Sequence, residues 1–563
     1  MGFFRLSRGA VFLFWSLGCL LKAQGILPEV QEHTLKNGFR VLLVERPGTG
    51  AVHARLFLRG GSASTGALPA VASELLARCL FKAPIEWELK KGKELEALLK
   101  MEEGAFESLR LEGIRLARRS MGGPAVDLQK LAMLRRQDST RIQALADRTS
   151  LPDPLETLGA TQRDIRVEAD EIAFGLDLPK EGFGAYCRVL ADRLKTLMLA
   201  RFPLEREVLL RDLNDESGRN RRALDVLLSA SLSGHPYAQV EDIQRASVEA
   251  LTWSELRAYA RWTAAPERLI LVLIGDLRMP EVISAIAQPF GGLSPGPTGL
   301  GHRDDLPVEL PEGSGARRLQ ASIPGERRLL LGWLVPPMTH PDHPALQVLV
   351  QMLGGSATSR LPKRLGGDRS LTEALSVHLN VPGGRAANLL VIEAKPNARH
   401  GLAEVEQAIQ GELIRLQRGA FLEGEIRRAQ RQVEVDQLLV QEDAAHLAQI
   451  MGTTICQGGD WKLAFRALQF KQDYTQLEIQ GIALKYLISS RSTIVLLEPD
   501  PILMPQDLLE GRMAEILTRI LSAKMEDPGK VETVVRESLR QLRMLPLQER
   551  QQTLKLLESQ VKP

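Results

Sequence analysis

The sequence has few cysteines, little excess charge of either sign and almost no long apolar runs. Its four cysteines are widely spaced, and Cys19 lies in an N-terminal apolar run, which leaves an odd number and excludes a disulfide framework. We expect Cys79, Cys187 and Cys456 to be buried free thiols. The net charge is only +3 and basic residues are mixed with acidic ones, so the sequence lacks the clustered basic face of a nucleic-acid-binding protein.

One apolar run is present at the start of the chain, from Ala10 to Leu21, and it follows Arg5 and Arg8. A basic segment before so short a run is typical of a secretory signal peptide, and the run is too short for a permanent membrane span. We therefore predict a signal peptide at residues 1–25 and an exported, periplasmic or secreted protein. A partial lipoprotein motif at residues 16–19 leaves lipid attachment at Cys19 as the alternative. No later segment is apolar and long enough to cross a membrane.

The order of strand and helix patterns occurs twice along the 563 residues. This repetition predicts an α+β fold with two halves of similar design, at residues 26–292 and 318–500. Residues 293–317 are rich in Gly and Pro and are predicted to be the linker. Within the first half, residues 86–152 are rich in Lys, Glu, Arg, Leu and Ala, which predicts a helical insertion. Residues 501–563 are predicted to form a helical tail.

Several elements can be placed from local patterns. Asn37-Gly38 between two apolar runs predicts a hairpin turn. Residues 52–59 alternate apolar and polar as a half-buried strand does, and one long helix is predicted from about Leu422 to Ile450. In the insertion, a break near Gly122-Gly123-Pro124 predicts a helical hairpin whose charged face is solvated, with a docking surface as the alternative.

Seven short segments between about residues 30 and 500 occur in a distinctive order: Leu35–Val41, Gly60-Gly61-Ser62, Gly234-His235-Pro236-Tyr237, Val272–Asp276, Phe290-Gly291-Gly292, His340–Leu346 and Leu353–Ser356. Together they resemble the pitrilysin/insulinase family of metallopeptidases, the inverzincins. Each segment is short, but their order and spacing match the two homologous halves of that family. The resemblance implies a clamshell in which two α+β halves enclose a chamber. Active members of that family cleave polypeptides with a zinc ion, so the resemblance also implies descent from a zinc-dependent peptidase.

The helix that carries the His-x-x-Glu-His motif in active members has a different sequence here, with its register fixed by residues 79–82. The resemblance aligns Glu74 with the first His, Ala77 with the catalytic Glu and Arg78 with the second His. On a later helix it aligns Asp212 with the third zinc ligand. Ala77 cannot act as a general base, and Arg78 has no lone pair and keeps its positive charge. We therefore predict no catalytic residue, no metal ligand and no cofactor, since two carboxylates without imidazole do not form such a zinc site.

Active members also place an Arg and a Tyr in the second half, where the two hold the substrate. The resemblance aligns Gly366 with the Arg and Glu373 with the Tyr, and Arg369 is the alternative source of the Arg. In some bacterial members a zinc-bearing chain pairs with one that supplies only this Arg/Tyr function. On this alignment the present chain supplies neither.

Glu74 and Arg78 have i, i+4 spacing, and the family geometry would bring Asp212 opposite. One hypothesis is that Arg78 replaces zinc as a cationic hub between the two carboxylates. The alternative is an ordinary surface ion pair, worth roughly 0.3–0.5 kcal/mol. Among the histidines, His235 is expected to stabilise a turn. His340 and His343 are expected to be solvated or to cap a helix rather than bind metal.

The preferred functional prediction is a non-catalytic family homologue in the cell envelope. It would bind unfolded polypeptide by strand addition to a sheet edge, or pair with an active zinc peptidase subunit of the same family. One alternative is a zinc-dependent metalloendopeptidase that uses displaced catalytic residues. Another is a structural envelope subunit without peptide affinity.

Overall fold

The computed structural model describes residues 27–82, 92–119, 133, 140, 153–197, 199–212, 216–239, 245–297, 317–323, 326–366, 371–470, 473–499, 506–522, 528–543, 550, 552–554 and 556–557. The predicted signal peptide with Cys19, the break near residues 122–124, Arg369 and most of the predicted linker lie outside these residues.

The first half is built on a six-stranded sheet with the order β1-β2-β6-β3-β5-β4. Its strands are β1 Val30–Thr34, β2 Arg40–Glu45, β3 Ala51–Arg59, β4 Thr161–Val167, β5 Glu171–Pro179 and β6 Leu269–Gly275. Strands β2 and β6 are parallel, and the other neighbours are antiparallel. The predicted turn at Asn37-Gly38 is confirmed, and Gly38 has a φ of 92°, a conformation that favours glycine.

The helices of the first half are α1 Val71–Phe81, α2 Gly92–Arg119, α3 Pro154–Thr157, α4 Phe183–Thr196, α5 Phe202–Asp212, α6 Glu216–Ser231, α7 Arg245–Ala250, α8 Trp253–Thr263 and α9 Met279–Gly291. All of them except α6 pack on one face of this sheet and enclose a large apolar core with it. Their ends follow local signals: Thr252 and Glu255 form a capping box at the start of α8.

The second half repeats the design with a five-stranded sheet in the order β7-β11-β8-β10-β9. Its strands are β7 Arg317–Ile323, β8 Arg328–Val335, β9 Thr372–Val381, β10 Asn388–Pro396 and β11 Ser492–Pro499. Its helices are α10 His343–Gly354, α11 Arg360–Leu365, α12 Leu402–Gln417, α13 Glu423–Leu439, α14 Ala444–Gly458, α15 Arg466–Phe470 and α16 Gln476–Tyr486. Strand for strand, this order corresponds to β2-β6-β3-β5-β4 and keeps one parallel pair, so the predicted two homologous α+β halves are confirmed.

Each half also contributes a helix to the core of the other. Helix α14 packs Met451 and Ile455 against the outer face of the first sheet. Helix α6 packs Leu227 against the second sheet, and this side chain reaches Gly332 of β8. The two halves therefore share apolar cores instead of meeting only at a linker.

The structure corrects two predictions about these elements. Strand β3 is not half-buried, because α14 covers its second face: its internal residues are all buried, and the buried Arg55 binds Gln449 of α14. The single helix predicted from Leu422 to Ile450 is wrong as well. Helix α13 ends at Leu439 and α14 begins at Ala444, because Asp443 caps the new helix by accepting a hydrogen bond from the N–H of His446 at 2.6 Å.

The insertion is anchored more firmly than its charged composition predicts. Leu95 and Leu99 of α2 are completely buried, and Glu102, also buried, forms an ion pair with the buried Arg206 of α5. The guanidinium of Arg206 lies 3.3 Å from the ring centroid of Phe106. Burial of Leu95 and Leu99 agrees with the predicted amphipathic helix, whereas the buried charge of Glu102, which pairs with the helix that carries Asp212, departs from the predicted solvated face.

The tail contains α17 Gln506–Ser522 and α18 Pro528–Arg543, which confirms its helical character, and Glu515 holds it to Arg327 of the second half. Cys79, Cys187 and Cys456 are buried, as predicted, and none of the three forms a disulfide within the described residues. Among the helices of the described residues, none is both long and apolar enough to span a bilayer.

Candidate functional site

Helices α1 and α5 bring together the side chains at three of the aligned zinc-site positions. Arg78 donates from Nε to Oε1 of Glu74 at 3.0 Å, and from a terminal nitrogen to Oδ2 of Asp212, also at 3.0 Å. The side chains are 20%, 14% and 41% exposed for Arg78, Glu74 and Asp212. Arg78 thus lies between the two carboxylates, as the hub hypothesis requires.

The amphipathic pattern of α1 explains this arrangement. Leu75, Leu76, Cys79 and Leu80 are buried in the core of the first half, which leaves the intervening polar positions directed towards α5. Ala77 is completely buried among them and has no polar side-chain atom. Local helical spacing therefore fixes both the ion-pair geometry and the absence of an acid–base group at position 77.

A second set of ion pairs, which the sequence reasoning missed, lies about one turn beyond Arg78 at the end of α1 and about two turns before Asp212 on α5. Glu205 of α5 is 1% exposed, and it accepts hydrogen bonds from Lys82 at 2.8 Å and from Arg201 at 3.2 Å. The i, i+4 spacing of Arg78 and Lys82 was the available signal. Ion pairs between α1, or the residue that follows it, and α5 thus occur at two separate places.

The electrostatics favour a permanent cation at Arg78. Burial acts to lower the pKa of its guanidinium, but the neighbouring carboxylates of Glu74 and Asp212 outweigh burial, and the pKa lies above its ordinary value. Both carboxylates direct an oxygen at the guanidinium. The guanidinium is therefore the shared cationic partner of both carboxylates, without a metal ion.

Comparisons with known proteins bear on this site and its fold. Residues 250–433 match the family model described as the Peptidase M16 inactive domain. The chain is 21% identical over 512 residues to the zinc protease PqqE of Helicobacter pylori, covering 88% of this chain and 98% of that one. It is 24% identical over 301 residues to an uncharacterized zinc protease of Mycobacterium leprae, covering 53% of this chain and 66% of the relative.

Solved structures agree over most of the chain. A protease from Helicobacter pylori has a TM-score of 0.63 at 15% identity, covering 84% of this chain and 100% of that one. A peptidase M16 inactive domain from Pseudomonas fluorescens has a TM-score of 0.61 at 17% identity, covering 84% and 98%. The chain is a homologue of the M16, or pitrilysin/insulinase, peptidases. The fold predicted from the resemblance is thereby confirmed.

The cluster of this M16 homologue does not fit the zinc ion of active relatives. Its candidate donors are the carboxylates of Glu74 and Asp212, and both bind the guanidinium that lies between them. A guanidinium has no lone pair to offer a metal and repels it. Within the part of the chain that the structure describes, no three His, Cys, Asp or Glu side chains are grouped so that they could hold a metal ion.

The positions aligned with the substrate-holding Arg and Tyr are in the second half and are not part of the cluster around Arg78. Gly366 ends α11, and Glu373 lies on β9, where its carboxylate binds Nζ of Lys395 at 2.8 Å. In the described residues, neither position forms a hydrogen bond or ion pair with the cluster around Arg78. That the M16 homologue lacks the Arg/Tyr function stays a prediction.

The M16 homologue also has a buried polar node between its halves that sequence reasoning did not find. Asp170, before β5, accepts hydrogen bonds from the hydroxyl of Tyr237 at 2.7 Å and from the N–H groups of Gly384 and Arg385 at 3.0 and 3.3 Å. His235 accepts a hydrogen bond from the N–H of Tyr237, so its predicted turn role is confirmed.

Next to this node, Glu171 binds the hydroxyl of Thr453 from α14. Burial raises the pKa of Glu171 to about 8. Another histidine departs from its prediction: His343 is only 3% exposed and lies 3.0 Å from Oδ1 of Asn380. Burial lowers the pKa of His343 to about 4, so it is a neutral core residue and not a solvated one.

Proposed function

We propose that this M16 homologue is a non-catalytic subunit of the cell envelope that binds polypeptide and pairs with an active zinc peptidase of the same family. The observation that carries the proposal is the Arg78 guanidinium, which lies between Glu74 and Asp212 at 3.0 Å from each. A site filled by its own cation, with Ala77 where the base would be, offers no route to activate water. The match of residues 250–433 to a domain described as inactive supports the same conclusion.

Polypeptide binding is supported by the outer edges of the two sheets. Within the described residues, β4 pairs only with β5 and β9 pairs only with β10, so each has one edge without a neighbouring strand. An extended polypeptide can add to such an edge through main-chain hydrogen bonds. Because those bonds do not depend on sequence, this mode suits unfolded segments.

Pairing and location rest on two further observations. A solved structure with a TM-score of 0.56 to this chain is the first half of the periplasmic protease PqqL from Escherichia coli, and the match covers 92% of that half. A chain of this size is thus similar to half of a larger protease, which supports association with a second chain. The basic and apolar N-terminal sequence supports export to the envelope.

Co-purification from the native envelope tests the proposal. The tagged full chain should recover a second polypeptide that carries an intact His-x-x-Glu-His sequence, and zinc should follow that partner rather than the tagged chain. The purified chain alone should bind a reduced, alkylated protein but not the same protein in its folded form. Recovery of the tagged chain alone, together with no preference for the unfolded ligand, would contradict the proposal.

A further inference from the structure

The second half contains a counterpart of the site around Arg78. Helix α1 ends at Phe81, with Glu74 seven positions and Arg78 three positions before that end. In α10, which follows the corresponding strand of the second sheet, the residues at the same two positions are Gln347 and Gln351. Repetition of the fold therefore places two neutral amides where the first half has an acid and a cation.

The acid on the facing helix is retained. Gln351 donates from Nε2 to Oδ2 of Asp436 on α13 at 2.8 Å, as Arg78 donates to Asp212 on α5. The other carboxylate oxygen of Asp436 accepts from Nε2 of Gln432, also at 2.8 Å. Within the described residues no Lys, Arg or His forms an ion pair with Asp436, so neutral amides alone face its charge.

A cavity of about 290 Å³ lies at this point. It is lined by apolar side chains that include Val350, Leu379, Val440 and Phe465, and by the polar Gln347 and Asp436. This volume lies near the lower end of the roughly 300–1,000 Å³ of ligand pockets, which suits one long side chain. At the helix position of Gln351, the first half has Arg78.

We propose that this cavity binds an arginine side chain of an extended polypeptide, with the guanidinium at Asp436 and the aliphatic stem along the apolar wall. Charge complementarity selects a cation, since Asp436 lacks the partner that Arg78 gives to Asp212. The lining includes Leu379 of edge strand β9. A peptide added to β9 would run beside the cavity, so the inference rests on the polypeptide binding proposed above.

Binding of two peptides to the full chain tests the inference. The probes are fluorescein-labelled Val-Ala-Arg-Ala-Val and the same peptide with citrulline, the neutral isostere of arginine, and fluorescence anisotropy gives each Kd. We expect the arginine peptide to bind at least about tenfold more tightly, as for a charge-assisted hydrogen bond. Asp436→Asn should abolish this preference, and Val350→Phe should do so by filling the cavity. Glu423→Gln, which changes a 72% exposed carboxylate on the same helix, should preserve the preference.

The outcomes separate this inference from the function on which it rests. Equal binding of both peptides by the wild-type chain would overturn the arginine site and leave edge-strand binding intact. A preference that persists in Asp436→Asn would also overturn it. Failure of both peptides to bind would contradict the site and the proposed polypeptide binding together.

Discussion

Replacing Arg78 with Met removes the cation of the first-half cluster and keeps an unbranched side chain with good helix propensity. The bond to Glu74 joins side chains that are 20% and 14% exposed, so it belongs with hydrogen bonds to charged groups, worth about 1.5–3 kcal/mol. The bond to Asp212 is more screened, since that carboxylate is 41% exposed, and resembles exposed pairs worth about 0.2–1 kcal/mol. Arg78→Met should therefore lower the free energy of unfolding by about 2–4 kcal/mol.

Urea denaturation, followed by circular dichroism at constant pH and salt, measures this loss as a lower midpoint at unchanged slope. Arg536→Met is the matched control, because it breaks an i, i+4 pair with Glu532 whose side chains are 78% and 73% exposed. That control should cost no more than about 0.5 kcal/mol. If Arg78→Met costs no more than the control, Arg78 forms an ordinary surface ion pair and the hub hypothesis is wrong.

Three further predictions concern the contacts between elements. Because the pKa of Glu171 is raised from 4.5 to about 8, the folded state binds the proton of this carboxyl more tightly than the unfolded state does. Urea denaturation should therefore show that the wild type loses stability relative to Glu171→Gln as pH rises from 4.5 to 8, by up to about 1.4 kcal/mol per pH unit. A Cβ at Gly452 would lie 2.0 Å from a buried Phe ring, so Gly452→Ala should lower the melting temperature, whereas Gly481→Ala, with open space, should not. Glu102→Gln removes the carboxylate that pairs with a buried Arg, so it should lower the free energy of unfolding by about 3 kcal/mol. Glu96→Gln, at a partly exposed carboxylate, should change it little, and equal losses would contradict the anchored insertion.

Local sequence patterns were enough to predict an element where the contacts that determine it lie within a few residues of each other in the sequence. The Asn37-Gly38 turn needs only a glycine at positive φ, and the register of α1 follows from its buried apolar residues. The contact between Arg78 and Asp212 spans 134 residues. It was predicted only because the family resemblance supplied the facing helix.

The exchange of helices between the halves could not be predicted in this way. Strand β3 alternates in sequence, yet α14 buries its second face, where Arg55 binds Gln449 almost 400 residues away. The break before α14 did have a local signal, since Asp443 is a residue type that caps the N–H three positions later, but the apolar pattern continues across it. The polar node at Asp170 likewise depends on loops from both halves, and no spacing in the sequence connects them.

The most direct test of the central claim is zinc analysis of the purified full chain, combined with cleavage of a quenched fluorescent peptide with and without chelator. The cation between Glu74 and Asp212 predicts substoichiometric zinc and no chelator-sensitive cleavage by the chain alone. One zinc ion per chain, together with cleavage that chelator abolishes and zinc restores, would contradict this account.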